Sequence, residues 1–257
     1  MKIKIVSFYT KKDQISPSLV SAVTRQLAQE ADVDTEAVPD IVHVWGAWDT
    51  HVFRAVRHYA NLKIPVVYSP LGGLTPWQMK RRRGGLLGLA RYRSQKQAIR
   101  GADHIVTFSK AETENVSRWV ATEKITELRN PIITNKYPLP TLAADMRKRY
   151  EVVISTHDAA IRKEIADRVA KVETEDDNVR TLLRSVLYAH YQQHQGAISH
   201  KVLQELTSQL LALNFDEDHF LRLLSKMNLL KFMALLQTRM AEDCGLTEGF
   251  MPVPLKE

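Results

Sequence analysis

The chain has one cysteine, Cys244, among 257 residues. A lone thiol rules out an internal disulfide framework and any site built on several cysteines. It suits a reducing compartment, with Cys244 as a small packing residue. Long apolar runs are also missing, since no stretch approaches the roughly 20 apolar residues that cross a bilayer. The opening MKIKIVSFYT is a charged strand with no apolar signal region behind it, so a cytoplasmic location is expected. With 44% hydrophobic residues, 25% charged, and only 10 Gly and 10 Pro, the composition excludes fibrous and disordered classes. An ordinary folded chain of one large or two smaller domains remains.

What is present is charge of one sign, unevenly placed. Residues 1–138 hold 21 Lys and Arg against 12 Asp and Glu, a surplus of 9, whereas residues 139–257 hold 15 against 17, a deficit of 2. The asymmetry marks a boundary near Pro138 and Pro140 and points the first half toward an anionic partner.

Periodicity changes at the same place. Lys2 to Tyr9, Pro39 to Gly46, Ile64 to Pro70, Ala102 to Phe108 and Lys124 to Leu128 read as strands. Between them, Pro17 to Glu30, Thr50 to Asn61, Leu86 to Arg100 and Lys110 to Ala121 read as helices, with Ser16-Pro17 as a helix start. Regular alternation of this kind implies right-handed crossovers around a parallel sheet, whose ligands bind beyond the carboxyl ends of the strands. After Pro140 only Glu151 to Ser155 reads as a strand. His157 to Lys171, Val179 to His194, Ser199 to Leu213 and Asp216 to Met240, broken near Asn228, are amphipathic helices that suit a bundle. The expected fold is α/β: a Rossmann-like domain over 1–138, a linker and helix over 139–178, and an all-α bundle over 179–257.

Several segments of the first half carry a resemblance. They are Pro39-Asp40-Ile41-Val42-His43-Val44-Trp45-Gly46-Ala47-Trp48, the run from Pro65 through Ser69-Pro70-Leu71-Gly72-Gly73-Leu74 to Trp77, and Arg100-Gly101-Ala102-Asp103 through Ser109 to Glu112. With Arg129-Asn130-Pro131-Ile132 they resemble, in order and spacing, the acceptor-side domain of family 4 glycosyltransferases, one half of the GT-B fold. The resemblance implies a membrane-associated or polysaccharide acceptor, a nucleotide sugar as co-substrate and no other cofactor. It also implies that the family's site histidine corresponds to Trp45 or Leu71, neither of which titrates here. Two further departures are visible: Phe8 to Ser18 contains no glycine, where the family has a Gly-rich turn, and no second βαβ array or Glu-x7-Glu-like segment follows. The helical tail stands in that place. Catalysis would then draw its donor site from a partner chain or from the tail. The alternative is a non-catalytic binding module whose tail holds a partner protein.

The residues themselves suggest ligand loops. Gly46, Gly72 and Gly73 fall directly after strands, where a missing side chain lets backbone N–H groups approach an oxyanion or sugar, or simply turns the chain. Trp45, Trp48 and Trp77 cluster near the same ends and could stack on a sugar, anchor in a headgroup layer, or pack. His43, inside its strand, reads as a buried hydrogen-bonded side chain. The expected substrate-binding set is Gly46, Trp48, Gly72, Gly73 and Trp77.

Between Lys80 and Arg100 lie Lys80, Arg81, Arg82, Arg83, Arg91, Arg93, Lys96 and Arg100 without one acidic residue. The family resemblance places this segment at the membrane or acceptor side. Lys80, Arg81, Arg82, Arg83, Arg91 and Arg93 are therefore expected to bind anionic lipid or an anionic acceptor, with Leu86, Leu87, Leu89 and Tyr92 adding apolar contact. The bland reading is a solvated basic face. No nucleic-acid motif accompanies the patch, so nucleic acid is not the expected partner. His190 and His194 are four apart, but no third ligand is evident and no metal site is expected.

Overall fold

A computed structural model describes residues 1–8, 15–34, 36–82, 84–132 and 137–254. Arg83, the side chain of Ser16 and residues 9–14 of the glycine-free segment lie outside the described residues. The chain forms two compact units, Met1–His157 and Asp158–Glu257.

The first unit is built on a six-stranded, all-parallel sheet in the order β2-β1-β3-β4-β5-β6, with β1 Lys2–Ser7, β2 Asp32–Val33, β3 Ile41–Trp45, β4 Val66–Ser69, β5 His104–Thr107 and β6 Ile125–Glu127. All residues of β3, β4 and β5 are buried, which explains their apolar character on both faces. Val42, Val44, Val66 and Tyr68 face one side, where they meet Val52 and Val56 of α2 (Thr50–Asn61), Ala98 and Ile99 of α4 (Gly85–Gly101) and Val116 of α5 (Lys110–Val116). Ile41, Trp45, Val67 and Val106 face the other side, against Leu19, Val23 and Leu27 of α1 (Ile15–Leu27) and the first part of α6 (Leu139–Val169). A short α3, Pro76–Arg82, precedes α4.

Glu151–Ser155, expected as a strand, is helical and lies inside α6. Leu142, Met146, Tyr150 and Val153 recur at helical spacing and are buried against the sheet. Burial of that stripe outweighs the β preference of the adjacent Val152, Val153 and Ile154. This packing also carries the first unit past Pro140, to His157.

His157 closes the unit with a pair of specific bonds. Its Nδ1 stands 3.1 Å from Asp103 Oδ1 and its Nε2 3.0 Å from the Lys63 carbonyl, while Asp103 Oδ2 accepts the Val66 N–H at 2.8 Å. Burial pushes the imidazole pKa down, but the Asp103 bond and charge and the Lys63 carbonyl reverse this and hold it above its usual value. A raised pKa in the folded state means that the pair stabilises fully below the unfolded value of about 6.5 and loses its effect as pH rises through the folded pKa. Urea midpoints of the intact chain are expected to fall over that interval more steeply than those of His157→Gln. Identical pH profiles would count against the pair.

The second unit is helical. It comprises the end of α6 with α7 Asp177–Gln195, α8 His200–Ala212, α9 Glu217–Lys226 and α10 Leu230–Cys244. Asp176 and Asp216 cap α7 and α9 by accepting backbone N–H groups of the first turns. Asn228, at φ +58°, makes the expected break between α9 and α10. Leu182, Leu183, Val186, Leu206, Phe220, Leu224, Met233, Leu236 and Met240 converge in a single core.

Candidate functional site at the strand ends

The strand order reverses between β1 and β3. At the carboxyl ends of these two strands, an open cleft is lined by Phe8, Ala47, Trp48, Asp49, Thr50, Arg82 and Arg91. This switch point is where open parallel sheets bind ligands.

The loops around the cleft are held by close approach. Gly46 has φ +115°, and a Cβ there would stand 2.0 Å from the Phe8 carbonyl oxygen. Its N–H donates to the Ser69 carbonyl at 2.9 Å, and its own carbonyl accepts the Tyr68 hydroxyl at 2.8 Å. Gly73 lets the loop after β4 meet the loop after β3, since a Cβ would come within 2.4 Å of that of Ala47. Its N–H is bonded to the Pro70 carbonyl.

Leu71 and Gly72 have φ of +52° and +77°, so this loop turns its N–H groups inward as an anion-binding concavity. The anion is the chain's own. Glu112, on α5, accepts the Gly72 N–H at Oε2 and the Leu74 N–H at Oε1, each at 3.0 Å, and Asn115 Nδ2 donates to the Leu74 carbonyl at 2.8 Å. Burial pushes the Glu112 pKa up, against the pull of the backbone donors of Leu74, Gly72 and Phe108.

The tryptophans part company. Trp45 is wholly buried, stacked on His43 at 4.1 Å and on Phe108 at 6.0 Å between ring centroids. His43 Nδ1 lies 2.6 Å from the Tyr150 hydroxyl and Nε2 2.8 Å from Ser69 Oγ. Burial, then the neighbouring His104, holds its pKa well below the usual imidazole value, so it is neutral and structural. Trp48 is 5% exposed and has a left-handed backbone at φ +65°. Its N–H donates to Gln95 Oε1 at 2.8 Å and its indole N–H to the Gly73 carbonyl at 2.6 Å, while Gln95 Nε2 donates to the Tyr68 hydroxyl at 2.6 Å. Gln95, from α4, thereby fixes the floor of the cleft. Left-handed non-glycine residues such as Trp48 and Leu71 carry backbone strain of about 1–3 kcal/mol each and concentrate at functional sites. Trp77, on α3, is 62% exposed.

Asp49 belongs to the site, although sequence reasoning missed it. It caps α2, and its Oδ1 accepts the His51 N–H at 2.9 Å and meets His51 Nδ1 at 2.7 Å. Burial pushes its pKa up, but the His51 bonds and the charge of Arg91 prevail and hold the carboxyl below its usual value. An Asp before Thr at a helix start is accounted for by capping, so nothing in the sequence marked its place in the cleft.

Residues 11–131 match the family model of a glycosyl transferase 4-like domain. The N-terminal region is a glycosyl transferase 4-like domain. Its matched span covers β2 to β6 and every loop of the cleft except Phe8. No curated protein matches the chain.

The basic segment of the glycosyl transferase 4-like domain falls on α3 and the start of α4. Lys80, Arg81, Arg91 and Arg93 are exposed and Arg82 is half-buried. Between them stand Trp77, Leu89, Leu86 at 88% exposure and Leu87 at 76%. The Arg81 guanidinium lies 5.8 Å from the centroid of the Trp77 ring. Arg82 and Arg91 belong both to this surface and to the cleft. Among the described residues no helix is long and apolar enough to cross a membrane. His190 and His194, in the second unit, meet edge-on at 4.6 Å, and His190 packs on Phe232 at 4.8 Å. No metal-binding cluster of His, Cys, Asp or Glu occurs among the described residues.

Proposed function

We propose that the glycosyl transferase 4-like domain binds a membrane-associated or polysaccharide acceptor in its strand-end cleft for transfer of a sugar from a nucleotide donor. It does so while docked peripherally on the cytoplasmic face of an anionic membrane. The observation that carries this reading is the position of the cleft. It lies at the switch point of the sheet, and its Arg82 and Arg91 continue into the exposed apolar and basic surface. Amphipathic surfaces of this composition seat in the headgroup layer, with leucine and tryptophan inserted and arginine and lysine on the phosphates. The acceptor enters where the cleft meets that layer. The donor site comes from a partner chain or from the second unit, whose exposed Leu211, Leu235 and Phe250 suit a partner-binding surface.

Calorimetric titration of the full chain with nucleotide sugars, alone and with candidate partner chains, followed by transfer of labelled sugar to membrane lipids, tests the reading. Saturable donor heat and labelled product are expected in at least one combination. Absence of both in every combination overturns transfer and leaves a binding module.

A further inference from the structure

The cleft offers a ligand side chains rather than backbone donors. The N–H groups of Gly46, Trp48, His51, Gly72, Gly73 and Leu74 are all bonded inside the protein, two of them to the Glu112 carboxylate. The concavity that would otherwise seat an oxyanion is therefore occupied. The residues with polar or charged side chains that line the cleft, apart from the sealed Trp48, are Arg82, Arg91, Asp49 and Thr50. None of Asp49, Arg82 and Arg91 is exhausted by its partners. Among the described residues no hydrogen bond or ion pair takes up Arg82 or Arg91, although the charge of Arg91 acts on Asp49, and the bonds to Asp49 all fall on Oδ1.

From this inventory we propose that the cleft selects a phosphorylated polyol or sugar phosphate, the phosphate held by Arg82 and Arg91 and a neighbouring hydroxyl held by Asp49. Two planar forks lining one cleft suit a tetrahedral anion by charge-assisted bonds. A carboxylate in the same cleft repels a bare phosphate but accepts a hydroxyl, so the pair of demands is met only by a ligand that carries both groups. Asp49 is ionised for this task, and its position is fixed by His51 and by its cap of α2. The charged head can belong to a soluble molecule or to a lipid headgroup, because the chemistry at the cleft is the same. This inference rests on the proposed acceptor role of the cleft and names the acceptor's class.

The probes are glycerol 3-phosphate, methyl phosphate without the hydroxyl, glycerol without the phosphate, and short-chain phosphatidylglycerol below its micellar concentration, each titrated into the full chain and followed by calorimetry. Glycerol 3-phosphate is expected to bind about tenfold or more tightly than either single-group probe. Arg91→Gln is expected to weaken glycerol 3-phosphate by about tenfold. Asp49→Asn keeps a good helix cap, so the fold is retained while discrimination between glycerol 3-phosphate and methyl phosphate shrinks. Stronger binding of phosphatidylglycerol than of glycerol 3-phosphate assigns the head to a lipid, and equal binding assigns it to a soluble molecule. Equal binding of methyl phosphate and glycerol 3-phosphate, binding unaffected by Arg91→Gln, or no binding of either phosphate overturns the inference. Transfer to a neutral acceptor without phosphate binding would overturn this inference alone. Phosphate binding without donor binding or transfer would overturn the transferase reading and leave the site.

Discussion

Gly46→Ala is expected to lower the unfolding free energy of the first unit by about 3 kcal/mol or more, read as a lower urea midpoint at unchanged slope. Two effects add. The residue has φ +115°, where an L side chain is strained by about 1–3 kcal/mol. The new Cβ would also press on the Phe8 carbonyl oxygen, 2.0 Å away, and no rotamer change relieves this because the obstacle is backbone. The end of β1 must then move away from β3, disturbing the bond from the Phe8 N–H to the Trp45 carbonyl at 2.9 Å. Gly84→Ala is the control. Gly84 has φ −65° and open space around its Cβ position, so Ala there meets neither clash nor left-handed strain and should cost only the lost N-cap preference, about 1 kcal/mol. A loss below about 1 kcal/mol for Gly46→Ala would show that the strand-end geometry is not as tight as described.

Membrane docking predicts the second large effect. In co-sedimentation with vesicles of phosphatidylglycerol, the triple variant Lys80→Ala, Arg81→Ala, Arg93→Ala is expected to bind about 100-fold more weakly than the parent, from about 1 kcal/mol for each cation near an anionic surface. These residues are exposed, so the fold should persist, and Arg82 and Arg91 are left in place for the cleft. Raising the salt should erase most of the parent's advantage, because screening shortens the range of exposed charges. Leu86→Asp with Leu87→Asp should also release the chain, by removing the apolar insertion and adding repulsion. Equal binding of the parent to anionic and phosphatidylcholine vesicles, or no effect of the triple variant, would remove docking from the proposed function.

Much of the first unit was legible because its signals are redundant. A buried parallel strand needs an apolar run on both faces, and Ile41–Trp45 and Val66–Ser69 supply one. The helix between them starts and ends where Thr50 and Asn61 predict. β2 was invisible for the opposite reason: Asp32–Val33 is a two-residue edge strand that exists only because β1 offers it a partner. Glu151–Ser155 misled through local preference, which a stripe of long-range contacts overrode. At the cleft, the glycines at 46, 72 and 73 fall in the loops that follow β3 and β4. The fate of their N–H groups could not be read, because Glu112 is distant in sequence and comes to Gly72 only through the fold. Trp48 and Trp77 look alike as residues beside strand ends, yet one is sealed by Gln95 and Gly73 and the other stands in the open.

Glu112 has a consequence for how the cleft meets a ligand. A loop whose curvature depends on an arriving anion must be ordered at the moment of binding, and affinity falls by the entropy so lost. Here the counterion is built in, so the turn from Leu71 to Leu74 is already set in the empty protein. The glycosyl transferase 4-like domain thus holds this turn, through Gly73 against Ala47 of the cleft, as a wall shaped by its own carboxylate rather than by an arriving anion.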